Sequence, residues 1–146
     1  MFAVALIAHD AKKAEMLMLV KEYEESLSRL NLFATLNTGR LIEEGTGLSV
    51  TLLRRGVLGG EQEIGTLVAN GVIKAVIFLR DVLTIKSSEP DITALLRICD
   101  VCRVPLATNM ATARALLHFI GENPSAMRSI TNKPGCQDEL SVSGAN

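Results

Sequence analysis

The chain has 146 residues, and its 15 Lys+Arg set against 16 Asp+Glu leave a formal net charge of −1. That length suits one domain, and 48% hydrophobic with 21% charged residues is ordinary globular usage, which excludes wholesale disorder. Four Phe, one Tyr, no Trp and no excess of cations exclude the basic stripe with stacking rings of a nucleic-acid binder, and equally a polybasic membrane anchor.

No apolar run approaches the roughly 20 residues of a bilayer-spanning helix. The apolar start over residues 1–8 lacks a basic leader and runs straight into His9-Asp10, so it reads as a strand and not as a signal peptide. Three cysteines do not make a disulfide framework. The expectation is a reduced, cytoplasmic domain with no nucleic-acid and no membrane partner.

Short β-branched apolar runs alternate with stretches of helical period, the pattern of βαβ units around a parallel sheet. Residues 2–8 form the first strand, nearly continuous in apolar residues as a strand covered on both faces should be. From Asp10, Met16, Leu19, Val20, Tyr23, Leu27 and Leu30 recur every three or four positions and predict one helix of about five turns. A strand over 32–35, a short helix after Thr38 and a strand over 48–53 follow. Next come a Gly-rich turn over 56–60 and a helix over 61–70.

A strand over 75–79 leads into a loop of about ten residues. The helix after Pro90 sets Ile92, Leu95, Leu96 and Cys99 on one stripe, and a strand over 104–108 and a helix over 111–120 complete the pattern. The predicted architecture is a three-layer α/β/α domain over residues 1–120 with a five-stranded parallel sheet. Residues 121–146 are rich in Pro, Gly, Ser, Asn and Thr and read as a polar loop or loosely held tail.

Open parallel sheets bind ligands at the carboxyl ends of their strands. This chain gathers its polar groups at those ends: His9, Asp10 and Lys13; then Thr35 to Gly39; then Arg54, Arg55, Gly56, Gly59, Gly60 and Glu61; then Arg80, Asp81, Ser87, Ser88, Glu89 and Asp91; then Thr108 and Asn109. The loop Thr35-Leu36-Asn37-Thr38-Gly39, entering a helix, offers hydroxyls, an amide and backbone N–H groups to an anion. The same residue types are also ordinary helix caps.

Glu61, Asp10 and Asp91 could converge as three carboxylates suited to proton transfer, although an acid in a first helical turn also simply complements the helix dipole. His9, at a strand end beside Asp10, suits function or a plain strand terminus equally. His118, inside an apolar helix, reads as structural. Cys99-Asp100-Val101-Cys102 spells C-x-x-C, yet with no second pair to complete a tetrahedral metal site it reads as core packing, and no metal is expected.

Taken together, Ala8-His9-Asp10 with Lys13, Ala34-Thr35-x-x-Thr38-Gly39, Gly56-x-x-Gly59-Gly60 followed by an acid and Gln62, Pro90-Asp91 before Ala94-Leu95-Leu96-Arg97, and Pro105-x-Ala107-Thr108-Asn109-x-Ala111-Thr112 resemble the methylglyoxal synthase family over about residues 2–120. The resemblance implies a lyase that converts dihydroxyacetone phosphate to methylglyoxal and inorganic phosphate, without metal or organic cofactor, in a homohexamer. It implies Glu61 as the catalytic carboxylate, Asp10 and Asp91 as supporting acids and His9 as a substrate-contacting residue. Lys13, Thr35, Leu36, Asn37, Thr38, Arg55 and Gly56 match phosphate-binding positions, and Ser88 stands at a further substrate position.

Three positions depart from the family pattern. Glu61 replaces an Asp, Ser88 replaces a His, and Leu36 replaces a Gly. The alternative implied by these departures is a catalytically silent module of the same fold that binds phosphate or a phosphorylated metabolite.

Overall fold

In the computed structural model, the described residues are 2–54, 60–84, 92–131 and 136. Five parallel strands, β1 (Ala3–Ala8), β2 (Asn31–Thr35), β3 (Thr51–Leu53), β4 (Ala75–Leu79) and β5 (Leu106–Ala107), stand in the order β3-β2-β1-β4-β5. The helices are α1 (Lys13–Glu22), α2 (Glu24–Leu27), α3 (Leu36–Gly45), α4 (Gly60–Ala69), α5 (Ile92–Cys102), α6 (Met110–Glu122) and α7 (Pro124–Thr131).

Alternation along the strands sorts the core into two layers. Val4, Leu6, Ala34, Ile77 and Leu79 face Met16, Leu19, Ile42, Leu117 and Met127, from α1, α3, α6 and α7. Ala5, Ile7, Val76 and Phe78 face Ile64, Val68, Leu95 and Cys99, from α4 and α5. Every residue of β1 and of β4 is buried, because both central strands are covered on each face. The three-layer expectation therefore holds, and it places helix N-termini at one end of the sheet.

Several local readings are corrected. The long first helix is broken: Asp10–Lys12 is a 3-10 turn, and α1 ends at Glu22, with Tyr23 between it and α2. The helix expected after Thr38 starts at Leu36, so Thr38 and Gly39 lie within its first turns and not in a loop. The strands expected over 48–53 and 104–108 shrink to β3 and β5, the two edges, where only one neighbour supplies ladder bonds. Leu96 falls off the apolar stripe of α5 and is 42% exposed. His118 is exposed on α6 and is no core histidine.

The segment expected as loop from residue 121 onward carries α7. Met127 and Thr131 are buried there, Met127 as part of the α1/α3/α6 core layer, and the Thr131 hydroxyl donates to the Met127 carbonyl at 2.9 Å. A short polar helix with one buried stripe is easily lost among Ser and Asn when only composition is read.

The expectation of free thiols is corrected at Cys102, which is bonded to Cys136 with their Cα atoms 5.0 Å apart. The pair is separated by 34 residues in sequence, and only the return of the chain to α5 brings it together. Cys99, the remaining thiol, is fully buried; burial, aided by the charge of Asp100, pushes it up to about 12, so it is inert at neutral pH. The core reading of the C-x-x-C therefore stands for both sulfurs. No helix among the described residues is long and apolar enough to cross a membrane.

Candidate active site

All carboxyl strand ends open onto one rim, and the strand order reverses direction between β1 and β4, the position where open parallel sheets hold ligands. Register pairs Ala8 with Leu79, which sets His9 beside Arg80. The alternation that carries Ile7, Phe78 and Phe33 to the α4/α5 face carries His9, Arg80 and Thr35 toward the same face.

His9 is fixed on three sides. Its N–H donates to the Leu79 carbonyl at 3.0 Å, its Nδ1 accepts from the Asp81 N–H at 2.9 Å, and its ring meets Phe78 edge-on with centroids 5.3 Å apart. Because Nδ1 is an acceptor, the neutral imidazole carries its proton on Nε2 and presents a donor there. The turn that follows is tied back by Lys13, whose ammonium donates to the Ala8 carbonyl at 3.0 Å and to Asp10 Oδ1 at 2.9 Å. Asp10 and Lys13 are thus brought together as a pair, with Asp10 the more exposed partner.

Asp81, given no role from sequence, holds the β4 exit. Its Oδ1 accepts from the N–H groups of Leu83 and Thr84 at 3.1 and 3.3 Å. Desolvation would raise its carboxyl, but these bonds outweigh it, with Lys12 adding attraction, and hold the group below the usual carboxylate range. The signal available in the sequence was a polar Arg-Asp pair directly after an all-apolar strand.

Thr35 occupies the N-cap position of α3 with extended backbone, φ −62° and ψ 152°, yet its side chain makes no capping bond. Its hydroxyl instead lies 3.4 Å from that of Thr38, and both residues are buried. Asn109, at the start of α6, does cap, accepting from Thr112 N–H at 3.0 Å. Of the two readings of the Thr35 to Gly39 segment, plain capping therefore fails at Thr35. The first-turn N–H groups of α3 keep no side-chain cap, which leaves an anion-directed helix terminus.

Glu61 is carried to this end by Gly60. A Cβ on Gly60 would collide with the Arg54 carbonyl and stand 2.9 Å from Thr35 Cγ2, so α4 begins against the backbone just past β3 and against the Thr35 side chain at the end of β2. One carboxylate oxygen of Glu61, Oε2, is buried without a hydrogen-bond partner. The residue also lines a cavity of about 290 Å³ between α4 and α5, with Gly65, Leu95 and Ile98. Glu63 Oε1 stands 2.9 Å from Arg54 Nε, a charge contact whose N–H direction falls short of a hydrogen bond.

A larger cavity, about 600 Å³, is lined by Asn31, Phe33, Leu48 and Thr51 at the amino ends of β2 and β3, the opposite end of the sheet from His9 and Glu61. Arg55, Gly56, Ser88 and Asp91 lie outside the described residues. The carboxyl end of the sheet therefore carries His9, Asp10, Lys13, Thr35, Leu36, Asn37 and Thr38, and the contact of Gly60 with Thr35 brings the start of α4, where Glu61 stands, to the same end.

These features define a doubly wound parallel α/β domain with an uncapped helix terminus, a fixed imidazole and an unpaired buried carboxylate oxygen at its ligand rim. Comparison with known proteins is in keeping with that description. Residues 15–108 match the model of the MGS-like domain. A methylglyoxal synthase of Carboxydothermus hydrogenoformans is 56% identical over 120 residues, covering 82% of this chain and 99% of that one. Another, from Exiguobacterium sibiricum, is 48% identical and covers 89% of this chain and 90% of its own. The crystal structure of methylglyoxal synthase from Elizabethkingia anophelis superposes with a TM-score of 0.77 at 38% identity, covering 80% of this chain and 76% of that one. The chain belongs to the methylglyoxal synthase family.

Proposed function

We propose that this chain is a lyase acting on dihydroxyacetone phosphate, releasing methylglyoxal and inorganic phosphate. The observation that carries the reading is the unpartnered, buried Glu61 Oε2, in the first turn of a helix that the Gly60 contact starts against Thr35, the residue that precedes the uncapped α3. A buried acceptor without a partner costs about 1–3 kcal/mol, so such an atom is best explained by a ligand that supplies the missing donor.

The substrate phosphate binds at the N–H groups of Leu36, Asn37 and Thr38, with the hydroxyls of Thr35 and Thr38 and the charge of Lys13 nearby; by family resemblance, Arg55 and Gly56 join them and Ser88 contacts substrate. His9 Nε2–H donates to the substrate carbonyl oxygen. Glu61 takes a proton from the hydroxymethyl carbon. The C–H electron pair becomes a carbon–carbon double bond and the carbonyl oxygen takes the negative charge, which His9 stabilises.

Phosphate then leaves by elimination. The enediol hydroxyl gives up its proton as its oxygen forms the aldehyde carbonyl, the double bond shifts by one carbon, and the bond from carbon to the phosphate ester oxygen breaks. Protonation of the resulting methylene carbon completes methylglyoxal. Asp10 and Asp91 stand as supporting acids in these proton movements, and the scheme uses no metal or organic cofactor.

The same reading extends to a homohexamer in the cytoplasm, which sedimentation velocity and cell fractionation test. The activity is tested with purified protein and dihydroxyacetone phosphate, following methylglyoxal and phosphate together. Equal release of both, lost in Glu61→Gln, is expected. Absence of turnover in the unaltered chain, with phosphate still raising the melting temperature, would overturn the lyase in favour of a silent phosphate-binding module.

A further inference from the structure

Beyond the site residues drawn from the family resemblance, one cation stands in the same row. Arg80 directly follows β4, in register beside His9, and alternation from Phe78 carries it toward the α4/α5 face that also holds Thr35 and α4. Its residue is half-buried and its Nε is enclosed with no hydrogen-bond partner. A guanidinium cannot shed its proton to escape that situation, so an enclosed N–H without an acceptor is an unmet demand for one.

Glu61 presents the complementary demand, an enclosed acceptor without a donor. A ligand meeting both must carry negative charge at one atom and a transferable or donated hydrogen at another. A 2-hydroxy carbonyl compound passing to its enediolate has this composition.

Position selects which part of the ligand Arg80 meets. Along the rim, the uncapped α3 terminus stands at β2, His9 at β1 and Arg80 past β4. Neighbouring strands lie about 4.8 Å apart, so the Arg80 backbone stands about 10 Å along the rim from the α3 terminus with His9 between them, which sets Arg80 on the carbonyl side of a three-carbon phosphate ester whose phosphate is held at α3. His9 supplies a single neutral donor between them. An imidazole N–H and a guanidinium on one oxygen stabilise developing charge far better than the imidazole alone.

We infer that Arg80 is a catalytic residue that holds, together with His9, the oxyanion formed when Glu61 deprotonates the substrate, and that it takes no part in holding the phosphate. The inference rests on the lyase reading, and its test has a readout that does not need turnover. Binding of 2-phosphoglycolate, whose carboxylate stands for the enediolate, is compared by calorimetry with binding of inorganic phosphate, in the unaltered chain, Arg80→Met and Arg80→Gln.

Expected is an about 10- to 100-fold loss of phosphoglycolate affinity with phosphate affinity kept within about twofold, the loss of one charge-assisted hydrogen bond. Turnover number on dihydroxyacetone phosphate should fall by about 10²- to 10³-fold, as on removal of an oxyanion donor, with Arg80→Lys recovering part of it. Equal weakening of both ligands, or of neither, overturns the inference. If Arg80→Met does not fold, Arg80→Gln, which keeps a polar donor without the charge, decides on the same criteria. Loss of the lyase reading is distinguishable: the unaltered chain would then show no turnover, while the phosphoglycolate comparison still decides whether Arg80 meets the anionic end of the ligand.

Discussion

The backbone N–H of Asp81 donates to His9 Nδ1 at 2.9 Å, joining the exits of the two central strands through one imidazole. The bond commits the ring to a single tautomer with its proton on Nε2, and the edge-on contact with Phe78 holds the ring plane. A donor locked in this way needs no reorganisation when charge develops on a substrate oxygen.

His9→Phe tests that role, because a phenyl ring can keep the contact with Phe78 while losing the donor. Turnover of dihydroxyacetone phosphate should fall by about 10²- to 10³-fold. The melting temperature should fall by only a few degrees, the cost of leaving the Asp81 N–H without its acceptor. A variant that retains most of its activity would remove His9 from the oxyanion site.

Asp81 gives a pH dependence whose sign follows from its depressed carboxyl. A group lowered on folding contributes stability that is fully present above its unfolded value, near the ordinary 3.8, and is lost as pH falls through the lower folded value. Asp81→Ala should therefore melt below the unaltered chain at neutral pH. The gap should narrow as pH falls below about 4, where the carboxyl that the variant lacks becomes protonated in the unaltered chain. A gap constant from pH 7 to pH 3 would show that the bonds to Leu83 and Thr84 do not depend on the charge.

Thr38 is 1% exposed, and its hydroxyl pairs with Thr35 at 3.4 Å. Thr38→Val nearly conserves the volume and removes only the hydroxyl. Inorganic phosphate should bind about 5- to 10-fold more weakly by calorimetry, the value of one ordinary hydrogen bond. Thr112→Val, at the capped start of α6, should leave phosphate affinity unchanged and serves as the control.

Two glycines separate backbone from side-chain crowding. At Gly60 an added methyl group meets the Arg54 carbonyl, which is backbone, whereas at Gly39 it meets Leu52 Cδ2, the end of a flexible side chain. Gly60→Ala should shift α4 and with it Glu61, lowering turnover by about 100-fold, the effect of an approximately 1 Å misplacement. Gly39→Ala should cost about 1–3 kcal/mol of stability from overpacking, read by urea denaturation, with a smaller loss of turnover.

Much of this molecule was legible in its residues. The unbroken apolar runs of β1 and β4 read as strands covered on both faces, and the polar groups crowded just past them mark the carboxyl end of the sheet. His9, Lys13, Glu61 and the Thr35 to Thr38 segment stand out in the sequence because hydrophobic periodicity is a local property, and its interruptions are local too. The shortage of aromatic rings agrees with a small, non-aromatic ligand held by N–H groups, hydroxyls and charge.

What the sequence could not decide depends on pairs distant in the chain. The tautomer of His9 is set by a donor 72 residues away, and the seating of Glu61 by the approach of Gly60 to Thr35. The enclosure of Arg80 Nε, the failure of Thr35 to cap α3, and the meeting of Cys102 with Cys136 likewise appear only when the layers close. Residue type and spacing determine which segments bury an apolar face, since each helix and strand answers to its own period. Which polar atoms end up enclosed, and whether they find a partner, is decided by how those segments pack against one another.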